Sequence, residues 1–165
     1  MMGPCPPAGV QGCVQGGARH HGRASPPPSS GGCVSEGGVR ALSNPIIAIV
    51  DDDAEVRGSL LSLMRSAGFD ARGFDGAVAF LDSPARDQAA CLVTDLHMPV
   101  MDGLALQAAL RDAGNDLPII IMTAFADPAL SQRALEAGAA AFLCKPLDPE
   151  DLLTRVEAAV AGRDP

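Results

Sequence analysis

Between Ile46 and Gly162 the chain repeats one arrangement five times, a short run with strand character followed by a longer stretch with helical spacing. The runs are Ile46 to Val50, Phe69 to Phe74, Cys91 to Thr94, Pro118 to Met122 and Ala141 to Cys144. Four of them are almost uniformly apolar, as a strand covered by helices on both faces has to be. The second, Phe-Asp-Ala-Arg-Gly-Phe, mixes in polar residues and reads as a half-exposed edge strand. The helical stretches carry their own punctuation. Val56, Leu60, Leu63, Met64 and Ala67 share one face before Gly68. Asp75 to Leu81 supplies a shorter helix, and Leu106, Ala109, Leu110 and Ala113 mark one that begins at about Gly103. Asp127-Pro128 and Asp148-Pro149 each put a carboxylate at a helix N-cap and a proline at the first helical position. The first of these helices runs to about Ala137 before Gly138; the second buries Leu152, Val156 and Val160 and stops at Gly162. Alternation of this kind requires a parallel sheet with right-handed crossovers, hence a doubly wound α/β sandwich of three layers. Ligands of such sheets bind beyond the carboxyl ends of the strands, where the winding reverses.

Composition divides the chain near Asn44-Pro45. Residues 1–44 are dominated by Gly, Pro and Ser and offer almost no aliphatic residue to a core, so this head is expected to be disordered and residues 45–162 to form the domain. The head carries Arg19, Arg23 and Arg40 against Glu36, a net of +2, which puts the remainder at −10 within a whole-chain charge of −8. So acidic a domain repels nucleic acid and anionic membrane, and direct DNA binding is not expected. No stretch approaches the roughly 20 apolar residues of a membrane span, and the head has no apolar segment of signal-peptide type; the expected location is the cytoplasm. Five cysteines, Cys5, Cys13 and Cys33 in the head and Cys91 and Cys144 inside apolar runs, do not make a disulfide framework. Nor do Cys5, Cys13, His20, His21 and Cys33 match a compact zinc spacing.

The residues with chemistry stand at strand ends: Asp51 and Asp52 after the first, Asp95 after the third, Thr123 after the fourth and Lys145 after the fifth. Carboxylates brought together repel one another unless a cation joins them. Magnesium fits best, because it takes few carboxylate ligands and keeps room for water and phosphate oxygens. With that charge offset, Asp95 can attack a phosphoryl group and form an acyl phosphate. The transferred group spreads negative charge over its outer oxygens, and Lys145, the Thr123 hydroxyl and main-chain N–H groups after Asp95 and Thr123, at Ala124 among them, are placed to meet it. Each residue alone has a plainer role: the Asp51-Asp52-Asp53 triplet as an acidic helix start, Asp95 as a turn cap, Thr123 as a strand-end hydroxyl, Lys145 as a solvated charge. It is their occurrence together, on four strand ends, that favours phosphotransfer.

Ile-Val-Asp-Asp-Asp, Val-Thr-Asp-Leu-His-Met-Pro-Val-Met-Asp-Gly, Ile-Met-Thr-Ala and Phe-Leu-Cys-Lys-Pro resemble, in order and separation, the receiver domains of two-component response regulators. The resemblance covers Ile46 to about Gly162. It implies a flavodoxin-like five-stranded sheet in the order 2-1-3-4-5. It further implies that Asp95 is the phosphoacceptor, Asp52 a direct Mg2+ ligand, Asp51 a ligand through water, and the main-chain carbonyl of His97 the third protein ligand. The His97 imidazole is then an exposed loop side chain. Lys145 pairs with the phosphoryl group, and its bond to Pro146 is expected to be cis. Thr123 and Phe142 are the switch residues; Phe142 lacks the hydroxyl of a tyrosine, so burial alone must favour its inward rotamer. The readout face is the helix opened at Asp127, the strand Ala141 to Cys144 and the helix opened at Asp148. Implied partners are a sensor histidine kinase or histidine phosphotransfer protein, a downstream protein on that face, and a second copy in a phosphorylation-dependent homodimer.

Because the sequence stops at Pro165, just after the last receiver helix, a stand-alone phosphorelay element is expected, with a piece of a longer protein as the alternative. Such a domain catalyses only its own phosphorylation and dephosphorylation. The head is read as an upstream stretch from a misplaced start, with Val34 or Val39 as the initiating position. The resemblance implies that the positions two beyond Asp95 and Thr123 tune the access of hydrolytic water, and bulky His97 and Phe125 there predict slow self-hydrolysis. Two other functions compete. A Mg2+-dependent phosphohydrolase with an aspartate nucleophile needs a second acid where His97 stands, and an interaction module without phosphorylation needs no such complete acceptor set.

Overall fold

The computed structural model describes residues 43–163. The expectations for the head, its cysteines and histidines, and the start at Val34 or Val39 lie outside the described residues. The elements, in chain order, are β1 (Ile46–Val50), α1 (Ala54–Ser66), β2 (Asp70–Phe74), α2 (Ala77–Leu81), α3 (Ala85–Gln88), β3 (Cys91–Asp95), α4 (Gly103–Asp112), β4 (Ile119–Thr123), α5 (Pro128–Glu136), β5 (Ala141–Cys144) and α6 (Pro149–Ala161). All neighbouring strands are parallel, in the order β2-β1-β3-β4-β5.

The uniform apolar runs follow from how the strands divide their side chains between two cores. Ile47 and Ile49 of β1, with Val93 of β3 and Ile120 and Met122 of β4, pack beside Leu60 and Met64 of α1 and Leu152 and Val156 of α6. The alternate positions, Ala48, Val50, Leu92, Ile119 and Ile121, meet Phe80 of α2, Leu106 and Leu110 of α4 and Ala134 of α5. A polar residue anywhere in these strands would be buried on one face or the other.

The helices begin and end where the sequence marks them. Asp53, Asp102, Asp127 and Asp148 each accept main-chain N–H groups of the first turn, contacts of about 1 kcal/mol apiece. Gly68 and Gly138 close α1 and α5 with φ of 90° and 94°, a backbone that L side chains adopt only under strain.

One element differs from expectation. A sixth helix, α3, spans only Ala85–Gln88; it grows from a turn in which the Ser83 hydroxyl accepts the Ala85 N–H at 3.0 Å, and only Ala85 within it is buried. One buried residue generates no period to read. The strand β5, a nearly uniform apolar run, is an edge strand, as the expected order 2-1-3-4-5 requires. Ala141 and Leu143 are buried in the core on the α6 side, whereas Phe142 is half-buried and Cys144 exposed. Among the described residues no helix is long and apolar enough to cross a membrane.

Candidate active site at the carboxyl edge of the sheet

Parallel register carries the ends of β1, β3, β4 and β5 to one edge, and with them Asp51, Asp52, Asp95, Thr123 and Lys145. One carboxylate oxygen from each of Asp51, Asp52 and Asp95 lies within 4.8 Å of the other two. Asp51 is 1% exposed and Asp95 6%, while Asp52 faces solvent. The Lys145 ammonium spans the two buried acids, 2.9 Å from Asp95 Oδ1 and 3.2 Å from Asp51 Oδ2. Asp51 Oδ1 accepts the Asp53 N–H at 2.9 Å, and Asp95 Oδ2 accepts the His97 N–H at 3.1 Å.

The main-chain donors beyond the strands are not equivalent. The Leu96 N–H, directly after Asp95, still belongs to the sheet and donates to the Met122 carbonyl at 2.7 Å, so the first donor turned toward the acid is that of His97. Thr123 is fully buried; its hydroxyl oxygen accepts the Phe125 N–H at 3.2 Å and its carbonyl accepts the Lys145 N–H at 2.7 Å. Ala124 is exposed beside it. Phe142, paired in register with Ile121, is half-buried against the α4-side core. The Lys145–Pro146 bond is cis.

Electrostatics at this edge favour a cation. Burial pushes the Asp51 carboxyl above the ordinary carboxylate range, against the opposing pull of the Asp53 N–H and the Lys145 charge. For Lys145 burial works to lower the ammonium, but the hydrogen bond and charge of Asp95 and the charge of Asp51 outweigh it, and the net direction is up. A single ammonium thus pairs with two of three clustered carboxylates, and Asp52 has no cationic partner among the described residues. The donor set is all oxygen, close-packed, buried at Asp51 and Asp95 and open to water at Asp52, and it fits a hard divalent ion that keeps part of its hydration shell.

Three contacts and one backbone feature were not legible in the sequence. The His97 and Phe125 rings meet edge to face, with centroids 6.0 Å apart, and Phe125 is 71% exposed. Gly103, opening α4, is packed so closely that a Cβ there would stand 2.7 Å from the Asp95 carbonyl oxygen; its only signal is the Asp102-Gly103 dipeptide. Arg57 reaches back from α1 to the Asp51 main chain. Val100, in the β3–α4 loop, has φ of 70° and is 97% exposed.

A five-stranded, doubly wound parallel sheet in the order 2-1-3-4-5, with an acid cluster, a buried hydroxyl and a lysine at its carboxyl edge, defines the receiver-like class of α/β signalling folds. The family model for the response regulator receiver domain matches residues 47–157, and the chain belongs to that family, the receiver domains of two-component systems. It is 36% identical over 141 residues to the response regulator protein TodT of Pseudomonas putida, covering 81% of this chain and 62% of TodT. It is 39% identical over 119 residues to the transcriptional regulatory protein FixJ of Bradyrhizobium diazoefficiens, covering 72% of this chain and 58% of FixJ. The chain therefore spans less than two thirds of the length of these relatives. The crystal structure of FIXJ-N superposes with a TM-score of 0.67 at 31% identity, covering 74% of this chain and 98% of that one. Phosphorylation and Mg2+ binding are general properties of the family.

Proposed function

We propose that the domain accepts a phosphoryl group on Asp95 from a sensor histidine kinase or a histidine phosphotransfer protein and passes the change to a partner. The observation that carries this is the convergence of Asp51, Asp52 and Asp95 at one edge of the sheet, with the Lys145 ammonium paired to Asp51 and Asp95. Asp51, Asp52, Asp95 and the His97 carbonyl would hold Mg2+, which when bound offsets carboxylate charge and that of the phosphoryl oxygens.

An Asp95 carboxylate oxygen forms the new bond to phosphorus while the bond to the donor's imidazole nitrogen breaks. Lys145, already 2.9 Å from Asp95, exchanges part of its contact with the carboxylate for a phosphoryl oxygen. The Thr123 hydroxyl gives up its contact with the Phe125 N–H to donate to the same group, and the Ala124 and His97 N–H groups complete the donors. Movement of Thr123 vacates space that favours an inward Phe142, biasing the face built from α5, β5 and α6 toward a downstream protein or a second copy. A groove of about 550 Å³ beside Lys145, lined by Val56, Leu63, Pro146 and Leu147 among others, suits docking of the donor. The reading sets the reaction in the cytoplasm, with no direct contact to nucleic acid or membrane.

Incubation with acetyl phosphate and Mg2+, followed by borohydride trapping and peptide mass analysis, is expected to label Asp95; label that persists in Asp95→Asn refutes the assignment. The His97–Phe125 ring pair supports slow self-hydrolysis, and Phe125→Ala should shorten the lifetime of the phosphorylated form. An unchanged or longer lifetime removes the steric account. A phosphohydrolase would need an acid at His97, and steady turnover of phosphate esters would favour that rival.

A further inference from the structure

The turn that bears Asp51 and Asp52 is held from outside the acid cluster. Arg57, one turn into α1, donates from Nη1 to the main-chain oxygen of Asp51 at 2.6 Å. That oxygen belongs to the peptide joining Asp51 to Asp52, so the bond fixes the plane from which both side chains depart. Asp51 has other restraints, the Asp53 N–H and Lys145. Asp52 has none: among the described residues its carboxylate makes no hydrogen bond or ion pair, and the backbone alone directs it.

A second observation lies across the sheet edge. Gly73 on β2 pairs in register with Ile49, beside the strand end that leads into Asp51. A Cβ at Gly73 would stand 3.2 Å from both Cγ and Cδ of Arg57 and 2.9 Å from Leu61 Cδ1. The stem of Arg57 therefore crosses β2 at the residue without a side chain. Glycine weakens a strand interior and marks a close approach when it is kept there.

We propose that Arg57, seated over Gly73, is a positioning residue for the divalent cation, orienting the Asp51–Asp52 peptide so that the Asp52 carboxylate meets those of Asp51 and Asp95. This rests on the metal reading given above. Groups one step outside a metal's ligands commonly change its affinity by about 10- to 100-fold when removed. Arg57 would act in that way through a main-chain carbonyl rather than through a ligand side chain.

Calorimetric titration of the intact protein with Mg2+ tests this, with thermal unfolding in EDTA measured alongside. Asp52→Asn, a ligand control, is expected to abolish binding. Arg57→Gln should weaken Mg2+ by about 10-fold or more, and Arg57→Lys, which keeps a single long donor, should recover part of the loss. Gly73→Val should also weaken Mg2+, although valine favours a strand and Arg57 is intact, and it carries the test if Arg57→Gln fails to fold. Affinity within about twofold of wild type in Arg57→Gln and Gly73→Val, beside a silent Asp52→Asn, overturns the proposal whatever happens to the unfolding temperature. A wild-type protein that takes up no Mg2+ overturns the metal reading and this inference with it, and is recognised because Asp52→Asn then loses nothing.

Discussion

Gln107 is the one place among the described residues where a buried side-chain atom has no partner, and removing that flaw should stabilise the domain. The residue is 1% exposed on α4; its Nε2 donates to the Ala134 carbonyl of α5 at 3.2 Å, and its Oε1 is unpaired. Gln107→Met keeps the length and unbranched shape of the side chain while deleting both polar atoms. The lost hydrogen bond is worth about 0.5–1.5 kcal/mol net, and the Ala134 carbonyl is not orphaned because the Ala139 N–H also reaches it at 3.0 Å. Deleting the unpaired Oε1 recovers about 1–3 kcal/mol, and burial of the thioether adds to that. The balance is a gain of about 1 kcal/mol, or a melting temperature about 4 °C higher for a domain of this size. With neither Trp nor Tyr in the chain, far-ultraviolet circular dichroism during urea unfolding is the suitable assay. A midpoint that falls, at unchanged slope, would mean that the tie from α4 to α5 is worth more than the orphaned oxygen costs, and the reasoning would fail.

Val100→Gly should leave the domain equally stable or up to about 1 kcal/mol more stable, because a β-branched residue at φ of 70° carries about 1–2 kcal/mol of strain and its exposed side chain packs on nothing that would be lost; a lower urea midpoint would contradict this. Brief alkylation of the native protein at mildly alkaline pH should mark exposed Cys144 and spare Cys91, whose thiol burial pushes up to about 12; peptide mapping that finds Cys91 modified before unfolding would refute it. Calorimetry against pH should separate the two ends of the Lys145 ion pairs. Lys145 is raised in the folded state, so its contribution is complete below the unfolded value of about 10.4 and is lost as pH rises through the folded one, and Lys145→Met should flatten that alkaline decline. Asp51 is also raised, so in EDTA its contribution is present below about 3.9 and lost as pH climbs through the folded value. Asp51→Asn should accordingly melt above wild type near neutrality in EDTA, with the gap closing in excess Mg2+; a gap unchanged by Mg2+ would count against the metal site.

What was legible in the sequence, and what was not, divides along a physical line. Ile119 to Met122 and Ile46 to Val50 could be read as central strands because each alternate residue has a different core to fill. Asp127-Pro128 and Asp148-Pro149 announced their helices because capping is a local interaction. The short α3 was not announced, since its geometry comes from the Ser83 turn and a single buried alanine. The edge position of β5 came from the resemblance and its strand order, not from the run itself, whose apolar residues report contact with helices that cover an edge strand as readily as a central one. At the site, residue types at strand ends were visible because a parallel sheet delivers every strand end to one rim. Contacts made across that rim depend on side-chain reach. The bridging of Asp51 and Asp95 by Lys145, the arrival of Arg57 at a carbonyl and the meeting of the His97 and Phe125 rings had no counterpart in spacing.

The Lys145 contacts also bear on the order of events under the proposed reaction. One ammonium serves two buried acids, and burial holds the Asp51 carboxyl above its ordinary value even with that partner beside it. When Lys145 turns to a phosphoryl oxygen, Asp51 loses its direct ion-pair partner, and a buried carboxylate left so is strongly unfavourable. A divalent cation beside Asp51 and Asp52 removes that penalty, so metal binding and phosphorylation each favour the other by the same free energy. Mg2+ should therefore bind more tightly to the phosphorylated form than to the resting one, and the resting affinity should be modest because Lys145 competes for the same carboxylate charge. Lys145→Met tests the two halves separately: with its competitor gone the unphosphorylated variant should bind Mg2+ more tightly than wild type, while the increase in affinity on phosphorylation should shrink.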